Sequence, residues 1–441
     1  MVQDADRTIV TPQSALQIRP ARALRGSLRV PGDKSISHRY VMLAAIAQGT
    51  TRITNLAPGA DVAATMACFR ELGVPIEAAG PDLIVIKGAG WAGLRAPAGL
   101  LDAANSGTTL RLMAGLLAGR PLTVTMTGDA SLRRRPMGRV IEPLAAMGAI
   151  IGSEQGKAPL SITGGALTGI EWRPPVASAQ IKSALMLAGL SAQGNTVVHE
   201  IQATRDHSEL AFPAFGLQAT IDGLSVSVPG RQEATAPPSG ALEVPGDASS
   251  AAAWAAAAAA LPGSAVNLTG VGLNARRLGF VNALRSLGAD ITIEETHRAG
   301  GESVGRIHVS HGHHGHATLG AADVPDLIDE LPVLAARAAL GGSLQVSGAS
   351  ELRVKESDRI AQLVNGFRTL GVDAEERPDG FVINGRRRPT GGQVDAAHDH
   401  RLVMAFTIVG LGATGPTVIT GADAVAVSYP AFVEDLGRLV S

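Results

Sequence analysis

Two stretches of the chain are near copies of one another, LRVPGDKS from Leu28 to Ser35 and LEVPGDAS from Leu242 to Ser249. Each closes a strand-like run with a Pro-Gly break and opens a long apolar helix. Reading outward from them, one pattern recurs about every 70 residues: an Ala/Leu-rich helix, a Gly break, a short β-branched strand and a second, amphipathic helix. The first helices are KSISHRYVMLAAIA, NSGTTLRLMAGLLA, SAQIKSALMLAGL, DASSAAAWAAAAAA, IDELPVLAARAAL and DHRLVMAFTIVGL, which makes six units. They are apolar nearly all round, as helices buried inside a ring of sheet and outer helix must be. The strands that follow, such as TTRITNL, LTVTMTG and PTVITG, are rich in Val, Ile and Thr. An outer helix such as SDRIAQLVNGFRTLGV buries one stripe, Ile360, Leu363, Val364, Phe367 and Leu370.

Six units divide into two halves of three, with the seams at the two copies. The expectation is therefore an α/β protein of two inside-out domains, each of three repeated β-α-β-α-β-β units. Residues 31–244 form the first domain. Residues 1–30, whose ALQIRPARALRGSLRV needs a sheet to join, combine with 245–441 in a discontinuous second one, and the active-site cleft lies between the two.

Composition narrows the function. A net charge of -1 gives no ground for nucleic acid or an anionic membrane as partner, so any anion site must be local. The single cysteine, Cys68, excludes an internal disulfide and reads as a buried thiol at an apolar helix position. MVQDADRTIV lacks the marks of a secretory signal, and the Ala-rich run Ser249 to Leu261 is shorter than the roughly 20 residues of a membrane span. A cytoplasmic protein is expected. HGHHGH, His311 to His316, reads as a solvated turn rather than a metal site.

Polar residues gather at the starts of the buried helices: Lys34, Ser35 and Arg39; Asn105, Ser106 and Gly107; Ser178 and Gln180; Asp329 and Glu330; Asp399, His400 and Arg401. Any one Ser, Asn or Asp there is accounted for as an N-cap. Lys34, Arg111 and Arg401 are not, because a cation near a helix N-terminus opposes the dipole unless an anion binds beside it. Lysine is also scarce, five in the chain, and two of the five are Lys34 and Lys355. RVKESDR, Arg353 to Arg359, fits the loop after the fifth strand, with Ser357 as the expected N-cap of the helix from Asp358. In LRRRPMGR, the adjacent Arg133, Arg134 and Arg135 cannot all face one ligand.

The motifs PGDKSISHR, NSGTTLR, GDASLRRRP, SAQIKSALM, TRDH, RVKESDR and DHR run in this order over nearly the whole chain. Together they resemble 5-enolpyruvylshikimate-3-phosphate synthases, in the second class of that family. The resemblance implies the enolpyruvyl transferase fold and transfer of the enolpyruvyl group of phosphoenolpyruvate to the 5-hydroxyl of shikimate 3-phosphate, with release of phosphate. It implies a step toward aromatic amino acids by a monomer with no metal or organic cofactor, its partners being the two small-molecule substrates. Carried over by motif, Lys34, Ser35, Arg39, Ser178, the Ala179 backbone, Gln180, Arg205, Asp329 and Lys355 would hold shikimate 3-phosphate. Lys34, Gly107, Arg135, Gln180, Arg359 and Arg401 would surround phosphoenolpyruvate.

The chemistry requires one proton taken from a hydroxyl and one given to the enol methylene carbon. Asp329 is the candidate base and Glu356 the candidate acid, although Lys355 and Arg359 beside Glu356 favour its ionised form, which leaves Lys34 as a shared candidate. A serine stands in some members where this chain has Ala179. The alternatives are UDP-N-acetylglucosamine enolpyruvyl transferase, which would want a cysteine where SLRRRP stands; RNA 3'-phosphate cyclase, which would want a basic face; and a non-enzymatic anion-binding protein, which turnover would exclude.

Overall fold

The computed structural model describes residues 9, 10 and 15–440. Three of the four-stranded sheets among the described residues each arise from one continuous repeat of the sequence. In the second repeat a strand at Leu101–Asp102 leads into helix Gly107–Ala118, returns as Thr123–Thr127, and continues through Gly138–Ala146 into the hairpin Ile150–Glu154/Lys157–Thr163. The first two strands are parallel, as a helical crossover demands, and the hairpin strands are antiparallel. Six such sheets occur among the described residues.

The chain separates into two compact units, Gly32–Pro245 with Arg298–Glu302, and Met1–Pro31 with Gly246–His297 and Ser303–Ser441. The duplicated stretches mark the passage between them, and each exchanges a strand. Arg25–Arg29 runs parallel to Ala265–Gly272 in one unit, while the helix after it begins the other. Ala241–Glu243 runs parallel to Gln48–Thr54, and the helix after that returns. Ala15–Ile18, antiparallel to Thr417–Thr420, supplies a further strand to the sixth repeat.

The inner helices are α1 (Lys34–Ile46), α2 (Gly107–Ala118), α3 (Ala179–Gly189), α4 (Ala248–Ala260), α5 (Leu331–Ala339) and α6 (His400–Gly412). All thirteen residues of α4 and of α6 are buried. Small side chains permit this, because helices without bulky ridges can bring their backbones together. At Gly115 of α2 an added Cβ would lie 2.1 Å from the carbonyl oxygen of Ala184 in α3. The outer helix Arg359–Thr369 buries the expected stripe, with Ile360, Leu363, Val364, Phe367 and Leu370 all in the core. Its N-cap is Asp358, whose carboxylate accepts from Ala361 N at 3.1 Å, and not Ser357. Ser357 Oγ instead donates to Asp399 Oδ2 at 3.1 Å, a charged acceptor that a cap position would have denied it.

Two outcomes test the packing. At the first crossover an added Cβ on Gly32 would lie 1.7 Å from the Asn55 carbonyl oxygen, whereas nothing lies within 4 Å of one on Gly99. Gly32→Ala is expected to cost about 3 kcal/mol in urea unfolding and Gly99→Ala almost nothing; equal midpoints would contradict this packing. Cys68 is 1% exposed, and burial, aided by Asp102, pushes its thiol up to about 12. Iodoacetamide at pH 8 should label it only after unfolding, and rapid labelling of the native chain would contradict its burial.

Candidate active site

The polar helix starts fall into two sets, one on each unit. In the unit Gly32–Pro245, Asp33 caps α1 by accepting from Ile36 N, and Lys34 follows as the first residue of the helix. Lys34 Nζ meets Asp61 Oδ2 at 2.9 Å. Arg39, one turn on, is buried; its Nε donates to Ser208 Oγ at 2.8 Å, Nη2 to Ser183 Oγ at 2.7 Å and Nη1 to the Ser35 carbonyl at 2.9 Å. Burial pushes this guanidinium down to about 10, against Glu209 and Asp33 and reinforced by Arg205, so it stays cationic at neutral pH.

Ser106 caps α2 and Ser178 caps α3. Around the first turn of α2, Arg111 Nη1 donates to Gln180 Oε1 at 2.8 Å, Gln180 Nε2 to Thr108 Oγ1 at 3.0 Å, and Arg135 Nη2 to Asn105 Oδ1 at 2.7 Å. A Cβ on Gly107 would stand 2.7 Å from Arg111 Nη1 and 3.3 Å from Arg135 Nη1. Two guanidinium groups thus overhang one helix N-terminus, an arrangement suited to a carboxylate or phosphate. Of the three adjacent arginines only Arg135 turns inward, while Arg133 and Arg134 are exposed. Ala179 and Gln180 open α3, and Arg205 is close enough to Arg39 to repel its charge.

The other set centres on Arg359, which is 2% exposed. Its Nε donates to Asp399 Oδ2 at 2.7 Å, its Nη1 lies 3.5 Å from Asp329 Oδ1, and its Nη2 is bonded to Glu356 Oε2. Burial opposes the charge, yet Asp399, Glu356 and Asp329 outweigh it and hold the guanidinium above its ordinary value. Asp399 also caps α6 through Arg401 N at 2.9 Å. Arg401 is buried, and its guanidinium has no carboxylate within 4.0 Å among the described residues and no acceptor for its Nε. Lys355 Nζ stays near Glu351, at 3.7 Å. Arg353, from the same motif, serves structure: it binds Asp358, Glu376 and the carbonyls of Arg377 and Pro378.

Several residues of these networks escape a reading of the sequence. Asp61, Ser183 and Ser208 each hold a named cation, and Arg277 reaches Ser249 Oγ at 2.7 Å beside Glu330, the neighbour of Asp329. Ser183 had a signal, a hydroxyl beside Lys182 within the buried part of α3. The histidine stretch is spent locally, with His311 Nδ1 near the Ala259 carbonyl, His314 near that of Gly341, and His316 on Ser343 Oγ. No group of three metal-ligating side chains occurs among the described residues.

The family model for EPSP synthase (3-phosphoshikimate 1-carboxyvinyltransferase) matches residues 18–436. The 3-phosphoshikimate 1-carboxyvinyltransferase of Desulforudis audaxviator is 48% identical over 427 residues, covering 96% of this chain and 99% of that one. That of Halorhodospira halophila is 49% identical over 426 residues, covering 96% and 95%. A solved EPSP synthase from Acinetobacter baumannii aligns with a TM-score of 0.86 at 41% identity, over 97% of this chain and 98% of that chain.

His38, fully buried beneath the first set, gives a pH test. Burial, then Lys34 and Arg39, hold it well below its ordinary 6.5. The unfolded chain therefore takes up a proton that the folded chain refuses, so this contribution is fully present above about pH 6.5 and is lost as pH falls from there toward the folded value. His38→Asn is expected to flatten the fall in unfolding free energy between pH 7 and 5, by up to about 1.4 kcal/mol per pH unit. An unchanged slope would place the protonation elsewhere.

Proposed function

The chain belongs to the EPSP synthase family, and on that footing we propose how its own residues carry the reaction. It is a transferase that moves the enolpyruvyl group of phosphoenolpyruvate to the 5-hydroxyl of shikimate 3-phosphate in the shikimate pathway. The hydroxyl oxygen bonds to the central carbon of phosphoenolpyruvate, its proton leaves, and another proton joins the methylene carbon. Phosphate then departs and the methyl carbon gives a proton back, so that the product regains its double bond.

Lys34, Ser35, Arg39, Ser178, Ala179, Gln180 and Arg205 hold the acceptor's phosphate and carboxylate, while Asp329 and Lys355 hold its ring. Lys34, Gly107, Arg135, Gln180, Arg359 and Arg401 surround the donor. Both substrates are polyanions, and a close unit-charge pair left uncompensated costs about 4 kcal/mol at an effective dielectric of 20. The cations at the helix starts offset that cost. The observation that carries the proton assignments is the Arg359 node, where Asp329 and Glu356 are held on one guanidinium. Asp329 takes the hydroxyl proton. Glu356 serves the methylene carbon once the bound anion draws Arg359 away from it, and Lys34 is the other group able to do so.

The reading requires the two sets to meet on one substrate pair, with cation repulsion holding the free protein open and substrate closing it. An unchanged radius in solution scattering with shikimate 3-phosphate and a phosphoenolpyruvate analogue would sink that requirement. A cytoplasmic monomer completes the reading; among the described residues no helix is long and apolar enough to cross a membrane.

Phosphate release from phosphoenolpyruvate should depend on shikimate 3-phosphate and not on UDP-N-acetylglucosamine. Asp329→Asn and Lys34→Met should each lower kcat by about 10²–10⁴, the range of a lost acid or base, and Glu356→Gln likewise. Full activity in Glu356→Gln would transfer the donor role to Lys34.

A further inference from the structure

A row of buried polar groups runs under the first set of the site and has no part in the roles assigned above. His38 Nδ1 lies 2.7 Å from Thr65 Oγ1, Thr65 Oγ1 lies 2.7 Å from Thr109 Oγ1, and Thr109 Oγ1 donates to Ser106 Oγ at 2.8 Å. All four residues are 0% exposed. The row joins α1, the outer helix Ala60–Glu71 and α2, and it ends on the side chain that caps α2, Ser106, which also accepts from Thr109 N at 3.1 Å.

Three hydroxyls and one imidazole in contact can point their protons either way along the row, and Thr109 Oγ1 has a longer alternative in the Asp61 carbonyl at 3.4 Å. His38 decides between the two. It is neutral, so one ring nitrogen carries a proton and the other does not. Its Nε2 is buried and has no partner among the described residues. Were the row to run toward the histidine, Nδ1 would accept and Nε2–H would be a donor stranded without water, the rarer and costlier arrangement. With the row running away from it, Nδ1–H donates to Thr65, Thr65 to Thr109 and Thr109 to Ser106, and Nε2 keeps only a bare lone pair. Every O–H dipole before Ser106 then points toward the start of α2, where bonds in series reinforce one another and add to the positive end of the helix.

We propose that His38, Thr65 and Thr109 are positioning residues for phosphoenolpyruvate, fixing and polarising the Ser106 cap so that the first amides of α2 are presented to the anion. The proposal rests on the reading that Gly107 borders the phosphoenolpyruvate site. None of the three touches substrate. Their effect acts through the helix terminus, so it falls on the ligand docked there and spares the one held by Arg39.

Thr109→Val removes one hydroxyl at constant shape. It should raise KM for phosphoenolpyruvate about five- to twentyfold while KM for shikimate 3-phosphate and kcat stay within about twofold, and Thr109→Ser, which keeps the hydroxyl, should restore the wild-type value. Thr65→Val, one bond further back, should act in the same direction. The ¹⁵N spectrum of the wild-type protein should place the His38 proton on Nδ1, a readout that needs no variant to fold. A proton on Nε2, a wild-type KM in Thr109→Val, an equal rise in both KM values, or failure of Thr109→Ser to rescue would each overturn the proposal. Gly107→Ala separates the two levels. If it leaves KM for phosphoenolpyruvate unchanged, the site reading itself is wrong; if it raises that KM and Thr109→Val does not, only the row fails.

Discussion

A helix sunk whole into a core cannot turn its first N–H groups to water, and each unit here sinks three. Five of the six inner helices meet this with a capping side chain, Asp33, Ser106, Ser178, Asp247 or Asp399. Before α5, Glu330 makes no cap bond; its Oε1 instead accepts from Ser249 Oγ and lies 3.8 Å from Arg277 Nη2. A cap satisfies one or two donors, and the remaining ones keep their partial positive charge at the rim of the core. Helix ends suited to anions are therefore a by-product of the packing that makes the fold, and the proposed site draws on them.

The two sets of cations are held by opposite means. Arg39 is fixed by two hydroxyls and a carbonyl, neutral acceptors that orient the guanidinium, with the charges of Glu209 and Asp33 also acting on it. Arg359 sits among three carboxylates, which more than neutralise it. The first arrangement suits holding an anion. The second suits keeping carboxylates charged and close to one another, since removing the guanidinium from such a buried cluster would cost about 3–5 kcal/mol. Arg401, whose buried guanidinium has no carboxylate within 4.0 Å among the described residues, belongs with the first kind although it lies on the second unit.

Most of the architecture was legible because it repeats. A helix apolar on every side, met six times at even spacing, leaves little room for another fold, and the stripe from Ile360 to Leu370 gave the buried face of an outer helix directly. The charges at the helix starts were legible as a list. What holds those charges was not. Asp61, Ser183 and Ser208 come from other elements than the cations they bind, and sequence distance carries no trace of such meetings. The Ser357 cap failed for the same reason. Ser357 and Asp358 are both good caps by type, and the choice was made by Asp399, some forty positions along the chain, which claims the serine hydroxyl.

The exchanged strands also impose an order on biosynthesis. The strand Arg25–Arg29 leaves the ribosome early, yet the strand beside it, Ala265–Gly272, follows far later, and Leu24 N waits for Ser264 Oγ across 240 residues. The unit Gly32–Pro245 holds three whole repeats of nearly continuous chain and can close while synthesis continues. Until Ala265–Gly272 emerges, the nascent chain carries an unpaired edge with Leu28 on it, open to any other exposed strand. Arginines at both ends of that strand, Arg25 and Arg29, put like charge on the waiting edge and guard it against association with its own copies on neighbouring ribosomes.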